Sequence, residues 1–561
     1  MTESLPVDEV CLVDVLDDKN RDDRENLGLA SIAAVLRRHG IGVTLRSQLV
    51  SERLPPATFG SCRVLAFSIY PNTVDAVLRT ATNVKNARPD VLVGLGGRLA
   101  TDAASELIAD CPAIDFCVLG DGELPMLDIV RAVHAGESID SVPHLLTRSR
   151  RTATVSQTDI DELPWPCRDF LSMSLAEGNP TARVNSSWGC AASCTFCSVN
   201  SFFFRDLEVR REQRDLPRTS VGLIDKRPHV RPKWRGRTPE DVYREICTLE
   251  RDRQITSFVF NDPSFEDPGT VGKARIRDLC ERLVAHGTPL AFRCSMRAES
   301  FKPQDAELLA LMRRAGFTHT FIGIESGNDD DLDAYNKIAG LADNEVALRL
   351  FDAADIDITM GFIMIGPYST PERLRANYEF LRRHRASKVD HYIRKVDVYF
   401  RTALHDRLDR DGLLKADFSY DTPGAYTIRN GDIAYLDEAL ETLRTDPTCS
   451  EFDSRMYHAA YTLSTLRALD SGAAAGPGAR FSRVRDDAAG LLSDFFEPVF
   501  VSGKSDVVAG ALAEFRRSLA LLCRDLRSVG AQVALASPFR RQLLAAMGDA
   551  PQPATPLPGT A

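Results

Sequence analysis

Three cysteines lie within eight residues in the stretch NSSWGCAASCTFC, residues 185–197. Their C-x₃-C-x₂-C spacing lets one tight loop wrap three thiolates around a single metal centre. Thiolates are the usual ligands of iron–sulfur clusters, and a cubane with four irons takes four ligands. Because only three ligands are local, one iron stays open for a small molecule. The spacing therefore predicts that Cys190, Cys194 and Cys197 hold a [4Fe–4S] cluster.

Other readings of the three cysteines remain open at this point. A zinc ion could take the same thiolates with a histidine, but no histidine lies between residues 145 and 228, so that ligand would be distant. A disulfide with a spare thiol is disfavoured, because the N-terminus shows no secretory signal. Chance clustering also has to be weighed, since the chain contains thirteen cysteines.

Length and charge restrict the class of protein. The 561 residues predict two to four domains, and the net charge of −10 argues against a general nucleic-acid binder. The longest apolar run, residues 358–366, is too short to span a bilayer. Thirteen cysteines without a secretory signal predict a reducing, cytoplasmic setting, with no nucleic-acid or membrane partner.

Residues 1–150 alternate short apolar runs with helical patterns. The predicted strands cover residues 10–15, 41–45, 64–70, 91–96 and 116–119, and the first predicted helix covers residues 27–38. Strands that alternate with helices indicate an α/β fold with a doubly wound parallel sheet. Ligands bind such sheets at the carboxyl ends of the strands.

Small residues follow three of these strands, namely Ser68, Gly96-Gly97 and Gly120, and Glu123 lies three residues further on. Glycines at strand ends let the backbone approach a ligand closely. A plain nucleotide-binding site is the alternative, but no G-x-G-x-x-G follows the first strand.

A second run of strand–helix units follows a predicted linker, residues 151–181. Within residues 182–415 we predict a helix over 238–253 and strands over 183–187, 255–260, 290–294, 320–324, 359–365 and 391–399. Six such units fit a partial (β/α)₆ barrel, whose chemistry lies at the carboxyl ends of its strands. The residues at those ends are Asn261, Arg293, Arg297, Glu325, Ser326, Gly361 and Gly366.

The remainder of the chain is predicted to be helical over residues 416–548 and disordered over 549–561. We expect the helical region to close over the barrel mouth and contact substrate. Cys449 and Cys523 in this region are predicted to be structural.

The cysteine motif, with Phe196 before its last cysteine, resembles the radical S-adenosylmethionine (SAM) superfamily. Ser68, the Gly96-Gly97 pair and the Gly120-to-Glu123 stretch resemble the cobalamin-binding domain that precedes the barrel in many of its members. Residues 234–239 also resemble a stretch that is common in the cobalamin-binding members. The resemblance implies three cofactors: a [4Fe–4S] cluster, SAM and cobalamin. It also implies an external reductant such as flavodoxin or ferredoxin.

The resemblance assigns residues to two of these cofactors. The residues expected to contact SAM are Glu325, Ser326, Asn261, Gly361 and Gly366, and those expected to contact cobalamin are Ser68, Gly96, Gly97, Gly120 and Glu123. Glu325 could instead form a salt bridge with a barrel arginine, and Arg293 and Arg297 could be structural in the same way.

One departure from the family concerns the cobalt ligand. Many cobalamin domains carry D-x-H-x-x-G after the first strand, and that histidine binds cobalt. Residues 17–28 contain no histidine here, and the first histidine of the chain is His39. We therefore expect cobalamin to bind without a protein imidazole on its lower face.

The resemblance implies a cobalamin-dependent radical SAM methyltransferase. In this class one SAM methylates cobalamin and another yields a radical that activates the substrate, so that unactivated carbon or the phosphorus of a phosphinate can accept methyl. We favour a tailoring enzyme of specialised metabolism, with P-methylation as one candidate. The alternatives are a methylthiotransferase, which would need a second cluster from Cys11, Cys62, Cys111 and Cys117; a cyclase or rearrangement enzyme; and a cobalamin or redox sensor.

A basic segment follows the cysteines. Residues 205–237 contain nine arginines and two lysines against five acids, a balance of +6 (11 − 5). A basic flap near the barrel mouth would attract an anionic substrate. The alternative is a solvated loop, or one that pairs with acids of the C-terminal region.

Overall fold

Two parallel sheets, one after the other along the chain, organise the computed structural model, which describes residues 9–17, 25–152, 160–176, 181–199, 234–503 and 506–536. The first sheet has the strand order β2 (Val43–Leu49), β1 (Val10–Leu16), β3 (Val64–Ser68), β4 (Leu92–Gly96), β5 (Phe116–Val118) and β6 (Leu145–Thr147). The second sheet has the order β13 (Asp357–Phe362), β12 (Phe317–Glu325), β11 (Ala291–Arg297), β10 (Ser257–Phe260) and β7 (Thr181–Val184). A two-stranded antiparallel hairpin, β8 (Ser187–Gly189) with β9 (Trp234–Gly236), lies in the chain between β7 and β10 of the second sheet.

The first sheet is built from five parallel strands and one antiparallel edge strand. Strand β1, which lies between β2 and β3, is buried along its whole length, which explains its nearly continuous apolar run. Helix α1 starts where the Asn26 side chain accepts a hydrogen bond from the Leu29 N–H, at 3.1 Å. The elements are β1 Val10–Leu16, α1 Leu27–Arg38, β2 Val43–Leu49, β3 Val64–Ser68, α2 Val74–Ala87, β4 Leu92–Gly96, α3 Arg98–Asp102, α4 Ala104–Asp110, β5 Phe116–Val118, α5 Glu123–Ala135 and β6 Leu145–Thr147.

The predicted parallel sheet is confirmed, and the edge strand β6 was not foreseen. It pairs antiparallel with β5 and has only three residues, too few to give a recognisable alternation in sequence. The segment predicted to be a linker contains a helix, α6 Asp169–Ala176.

The second sheet is entirely parallel, and its helices pack on one face. Phe258, Phe260, Phe292 and Phe317 stack on each other on that face, with ring centroids 5.1–5.9 Å apart. Residues that alternate with them along the strands therefore face the barrel lumen. The elements are β7 Thr181–Val184, β8 Ser187–Gly189, β9 Trp234–Gly236, α7 Pro239–Arg253, β10 Ser257–Phe260, α8 Gly269–His286, β11 Ala291–Arg297, α9 Ala306–Arg314, β12 Phe317–Glu325, α10 Asp329–Ala334, α11 Leu341–Ala353, β13 Asp357–Phe362 and α12 Pro371–Arg383.

The prediction of a sixth barrel strand over residues 391–399 is wrong. A short helix, α13 Val389–Ile393, occupies its start, and the extended chain that follows forms a single parallel bridge between Lys395 and Ile365. The carboxylate of Asp453 accepts hydrogen bonds from the N–H groups of Val389 (2.8 Å) and Asp390 (2.7 Å). This distant carboxylate caps a helical turn where the local apolar pattern favours a strand.

The C-terminal region is helical, as predicted, but the placement of one helix differs from the expectation. Tyr461 hydrogen-bonds to Thr181 at 2.7 Å, and Thr318 donates to the Ser464 carbonyl at 2.8 Å. Thr181 and Thr318 lie at the starts of their strands. The helix Pro447–Leu469, which carries Tyr461 and Ser464, therefore covers the floor of the barrel and does not close its mouth. The helices are α14 Ala403–Arg410, α15 Gly431–Arg444, α16 Pro447–Leu469, α17 Ser471–Ser502 and α18 Asp506–Ala536.

Two further expectations about this region have different outcomes. Cys449 and Cys523 are buried in the large core that the barrel shares with the C-terminal helices, as predicted for structural cysteines. The predicted disordered tail lies outside the described residues. Among the described helices, none is long and apolar enough to cross a membrane.

Candidate functional site

The loop that carries the three cysteines is fastened at several points near the carboxyl ends of the barrel strands. The Ala191 N–H donates to the Asp267 carboxylate at 2.7 Å, and the Thr195 N–H donates to the Tyr335 carbonyl at 2.9 Å. Phe196 packs edge-on against the Tyr335 ring, with centroids 5.4 Å apart. These contacts fix the loop backbone, so the positions of the thiols do not depend on a bound metal alone.

The charges around the thiols suit thiolate ligands. Burial raises the pKa of Cys190 well above its usual value, and nearby Arg297 opposes that rise. Burial likewise raises the pKa of Cys194 to about 12, while Lys337 lowers it and Cys197 adds to the rise. The two cations therefore favour thiolates, and a bound metal would replace the protons of these buried thiols.

The residues of the loop fit an iron–sulfur cluster. In a cubane each thiolate binds a different iron. One loop with three thiols, flanked by the cations of Arg297 and Lys337, supplies ligands for three irons and positive charge beside them.

A buried ionic network surrounds the cysteine loop, and Arg297 at the end of β11 is its centre. Its guanidinium pairs with Glu299 at 2.6 Å and also with Glu266 and Asp267, two fully buried carboxylates. Since Asp267 also binds Ala191 in the loop, the network ties the loop to the third barrel strand. Arg297 therefore forms structural salt bridges, the alternative considered from the sequence. The same network holds its positive charge near Cys190.

Glu325 lies beside the cysteine loop at the end of β12. Its backbone has φ +67°, and its carboxylate is 3.7 Å from the Lys337 ammonium, which donates to the Gly323 carbonyl at 3.0 Å. A Cβ on Gly323 would stand 2.5 Å from the Glu325 carboxylate, so the glycine leaves room for it. Its salt-bridge partner is thus a lysine rather than the barrel arginine considered from sequence.

The other residues expected to contact SAM have different surroundings. Asn261 is exposed, and its side-chain oxygen accepts from Arg183 at 2.9 Å. Ser326 is fully buried, and its hydroxyl donates to the Asn377 side chain at 2.8 Å. A Cβ on Gly361 would press on the Phe321 ring, and one on Gly366 on the Tyr335 hydroxyl. Their contact with SAM stays a prediction.

The five residues expected to contact cobalamin all line one cavity of about 160 Å³ at the carboxyl ends of the first sheet. They are Ser68, Gly96, Gly97, Gly120 and Glu123. Gly97 and Gly120 have φ of 98° and 89°, a conformation that favours glycine. Sequence position alone does not place them together, so the shared cavity is a finding of the tertiary structure.

The size and lining of the cavity fit part of a cobalamin. A cavity of about 150 Å³ holds one benzene-sized group, so this one would admit the aromatic lower base but not the macrocycle. Apolar side chains such as Leu29, Ile32 and Met126 line it. Burial beside Asp121 raises the pKa of Glu123, which favours a protonated carboxyl that can donate a hydrogen bond to a ligand.

A hairpin joins the cavity to the cysteine loop. Trp188 on β8 lines the cavity and also packs against Val199, the buried residue on which Cys190 and Cys197 pack too. Next to it on β9, Arg235 forms an ion pair with Asp121, another lining residue, at 2.8 Å. The two sites therefore share a wall. Sequence reasoning gave no role to Trp188 or Lys337, although the position of Trp188 two residues before Cys190 was a usable signal.

Comparison with known proteins agrees with this geometry. The Radical SAM superfamily matches residues 184–381, and the B12 binding domain matches residues 14–130. The chain is 24% identical over 375 residues to the uncharacterized methyltransferase PH0819 of Pyrococcus horikoshii, covering 64% of this chain and 73% of that protein. It is 27% identical over 326 residues to the anaerobic magnesium-protoporphyrin IX monomethyl ester cyclase of Cereibacter sphaeroides, covering 55% of this chain and 47% of that protein.

The whole architecture also has a solved counterpart. The structure of the cobalamin-dependent S-adenosylmethionine radical enzyme OxsB, with aqua-cobalamin and SAM bound, superposes with a TM-score of 0.67 at 17% identity. The match covers 93% of this chain and 80% of that one, and at this identity it shows the fold. The cofactors that accompany the two matched domains are a [4Fe–4S] cluster, SAM and cobalamin. Because one chain carries both a B12 binding domain and a radical SAM domain, it belongs to the cobalamin-dependent radical SAM enzymes.

Proposed function

We propose that this protein is a cobalamin-dependent radical SAM methyltransferase that acts on a small molecule. The observation that carries the proposal is the shared wall: Trp188 lines the cavity of the first sheet and packs against Val199, as Cys190 and Cys197 do, and Arg235 holds Asp121 beside it. A methyl donor and a radical source must meet at one substrate, and the closeness of the cavity to the cysteine loop supports such a meeting.

The residues of the chain have separate tasks in such a reaction. When bound, the cluster and SAM would supply the radical chemistry and cobalamin the methyl group. Cys190, Cys194 and Cys197 would hold the cluster, and Glu325 would bind polar groups of SAM. The network around Arg297 keeps the loop in place and balances the charge of its thiolates.

The acceptor that we propose is an unactivated carbon, or the phosphorus of a phosphinate, in a precursor of a specialised metabolite. We also propose that the acceptor is anionic and that the electron comes from a flavodoxin or ferredoxin. The basic segment that led to the anionic acceptor lies largely outside the described residues. Of its charges, Arg235 pairs with Asp121, and Arg237 pairs with Asp241 at 2.6 Å, so these two have structural partners.

The second candidate function is a cyclisation or rearrangement, because one relative is named a cyclase. A methylthiotransferase is less well supported. Cys11, Cys62, Cys111 and Cys117 are buried in the core of the first sheet, and Cys11 and Cys117 lie within strands β1 and β5, as the sequence pattern predicted. About four irons per chain, rather than about eight, would confirm a single cluster.

An anaerobic reaction with methyl-labelled SAM, cobalamin, a strong reductant and candidate acceptors tests the proposal by mass spectrometry. We expect the label in the acceptor and cleavage of SAM beside it. A product that is altered but carries no label would show the cyclase alternative instead. Intact SAM under strong reductant would contradict both enzymatic functions and favour a sensor.

A further inference from the structure

The floor of the barrel lumen contains a group of cationic and aromatic side chains that the proposed cofactor sites do not use. The guanidinium carbon of Arg293, on the lumen face of β11, lies 3.0 Å from the ring centroid of Tyr461 on α16. Its Nη1 is 3.4 Å from the hydroxyl of Tyr457. The ammonium of Lys388 lies 5.1 Å from the centroid of the Tyr457 ring. We name these four residues the floor cluster.

The two cations of the floor cluster have no acidic partner of their own. Among the described residues, no carboxylate lies within salt-bridge distance of Arg293 or Lys388, and the buried Nε of Arg293 has no hydrogen-bond partner. By contrast, Arg467 at the same end of the barrel pairs with Asp357 at 2.6 Å. Both side chains are only partly buried, so an anion that enters from solvent could supply the missing counter-charge.

Nearby groups do not cancel this positive charge. Two acids act on the charge of Lys388. Asp453 already accepts two backbone hydrogen bonds from α13, and burial raises its pKa to about 7. Asp390 is paired with Arg394 at 2.8 Å. Burial lowers the pKa of His319 to about 3, and Arg293, Lys388 and Arg467 all act in the same direction. His319 is therefore neutral, and the floor keeps a net positive potential.

Aromatic side chains at and above the floor cluster are open to solvent. Tyr457 is 36% exposed, and Phe321, on the lumen face of β12 between the floor and Glu325, is 43% exposed. Arg293 and Arg297 are four residues apart on one strand, so the floor lies about 13 Å below the end that carries the cysteine loop. An elongated molecule could touch both ends at once.

We propose that the floor cluster binds an anionic group, such as a carboxylate, phosphonate or phosphinate, at the far end of the substrate. Arg293 donates hydrogen bonds to two oxygens of the anion, and Lys388 adds a point charge. The tyrosine rings hold the two cations in place. The reacting atom then lies at the mouth, beside the cofactor sites. This placement of the reacting atom rests on the proposed function, whereas the binding of the anion does not.

The test measures binding of methylphosphonate to the reconstituted holoenzyme by phosphorus nuclear magnetic resonance line broadening, with ¹³C-acetate as the carboxylate probe. We expect saturable binding by the wild type and a dissociation constant raised about tenfold by Arg293→Gln, because a charge-assisted contact is lost. Lys388→Gln should weaken binding in the same direction. Arg429→Gln is the matched control, since Arg429 also stacks on a tyrosine, Tyr368, but is paired with Asp411 at 2.8 Å.

Equal affinity in the wild type and both floor variants, or no saturable binding by the wild type, would overturn the proposal. Should Arg293→Gln fold poorly in a thermal melt, Lys388→Gln and the charge-preserving Arg293→Lys variant provide the same test, because Lys388 is only partly buried. SAM cleavage and corrin absorbance are recorded in parallel and should be unchanged in the floor variants. Absence of SAM cleavage in the wild type would contradict the proposed function while leaving the anion site intact.

Discussion

At the scale of single residues, the three cysteines of the loop should be jointly required. Each would bind a different iron, so alanine at Cys190, Cys194 or Cys197 should abolish the broad thiolate-to-iron absorption and SAM cleavage after anaerobic reconstitution. Cys247→Ala is the control, since Cys247 is also partly exposed but lies on α7, outside the loop. It should retain both signals. A fully active Cys194→Ala enzyme would refute the cluster assignment.

At the scale of elements, the direction of helix α1 decides which residues can reach cobalt. Its first turn, with Gly28 and Leu29, lines the cobalamin cavity, while His39 caps its other end about 18 Å away and contacts the Val35 carbonyl at 2.9 Å. Among the described residues that line the cavity, none is a histidine. Electron paramagnetic resonance of bound cob(II)alamin should therefore show no nitrogen superhyperfine splitting, and His39→Ala should give the same spectrum. Splitting that disappears in His39→Ala would refute this arrangement.

At the scale of the whole molecule, a buried ion network joins the two sheets. Glu25, just before α1, accepts from the Arg183 N–H on β7 at 2.6 Å and pairs with Arg168 at 3.0 Å, and Arg168 also pairs with Glu245 on α7. Arg168→Met should destabilise the protein by about 3 kcal/mol, near the lower end for breaking a buried pair, because Glu245 keeps a second arginine, Arg237. The first transition of a thermal melt should fall accordingly.

The control for this prediction is Arg37→Met. Arg37 pairs with Asp169 at 2.8 Å, but both side chains are about one-third exposed, so the expected loss is about 1 kcal/mol or less. An equal, small effect of the two substitutions would show that the network does not hold the sheets together.

The sequence determined what depends on local spacing. The C-x₃-C-x₂-C motif, the Asn26 and Thr238 helix starts and the run of strands in the first sheet follow from neighbours a few residues apart, because ligand spacing, capping and apolar alternation are local properties. The glycines at the ends of β4 and β5 could also be recognised from the sequence as ligand-site candidates, because strand ends in a parallel sheet share one edge.

Only the tertiary structure decided what depends on contacts between distant segments. Hydrogen bonds to Asp453 stabilise helix α13 where the sequence predicted a strand. Trp188 lies between the cavity of the first sheet and the cysteine loop, whose residues are about a hundred positions apart in the chain. The floor cluster combines Arg293, Lys388 and Tyr461 from three separate segments, and none of them belongs to a sequence motif. Arg293, predicted at the carboxyl end of its strand, lies near the start of β11, because that strand continues to Arg297. Side chains meet at the floor because α16 packs across it, and long-range packing of this kind leaves no periodic trace in the sequence.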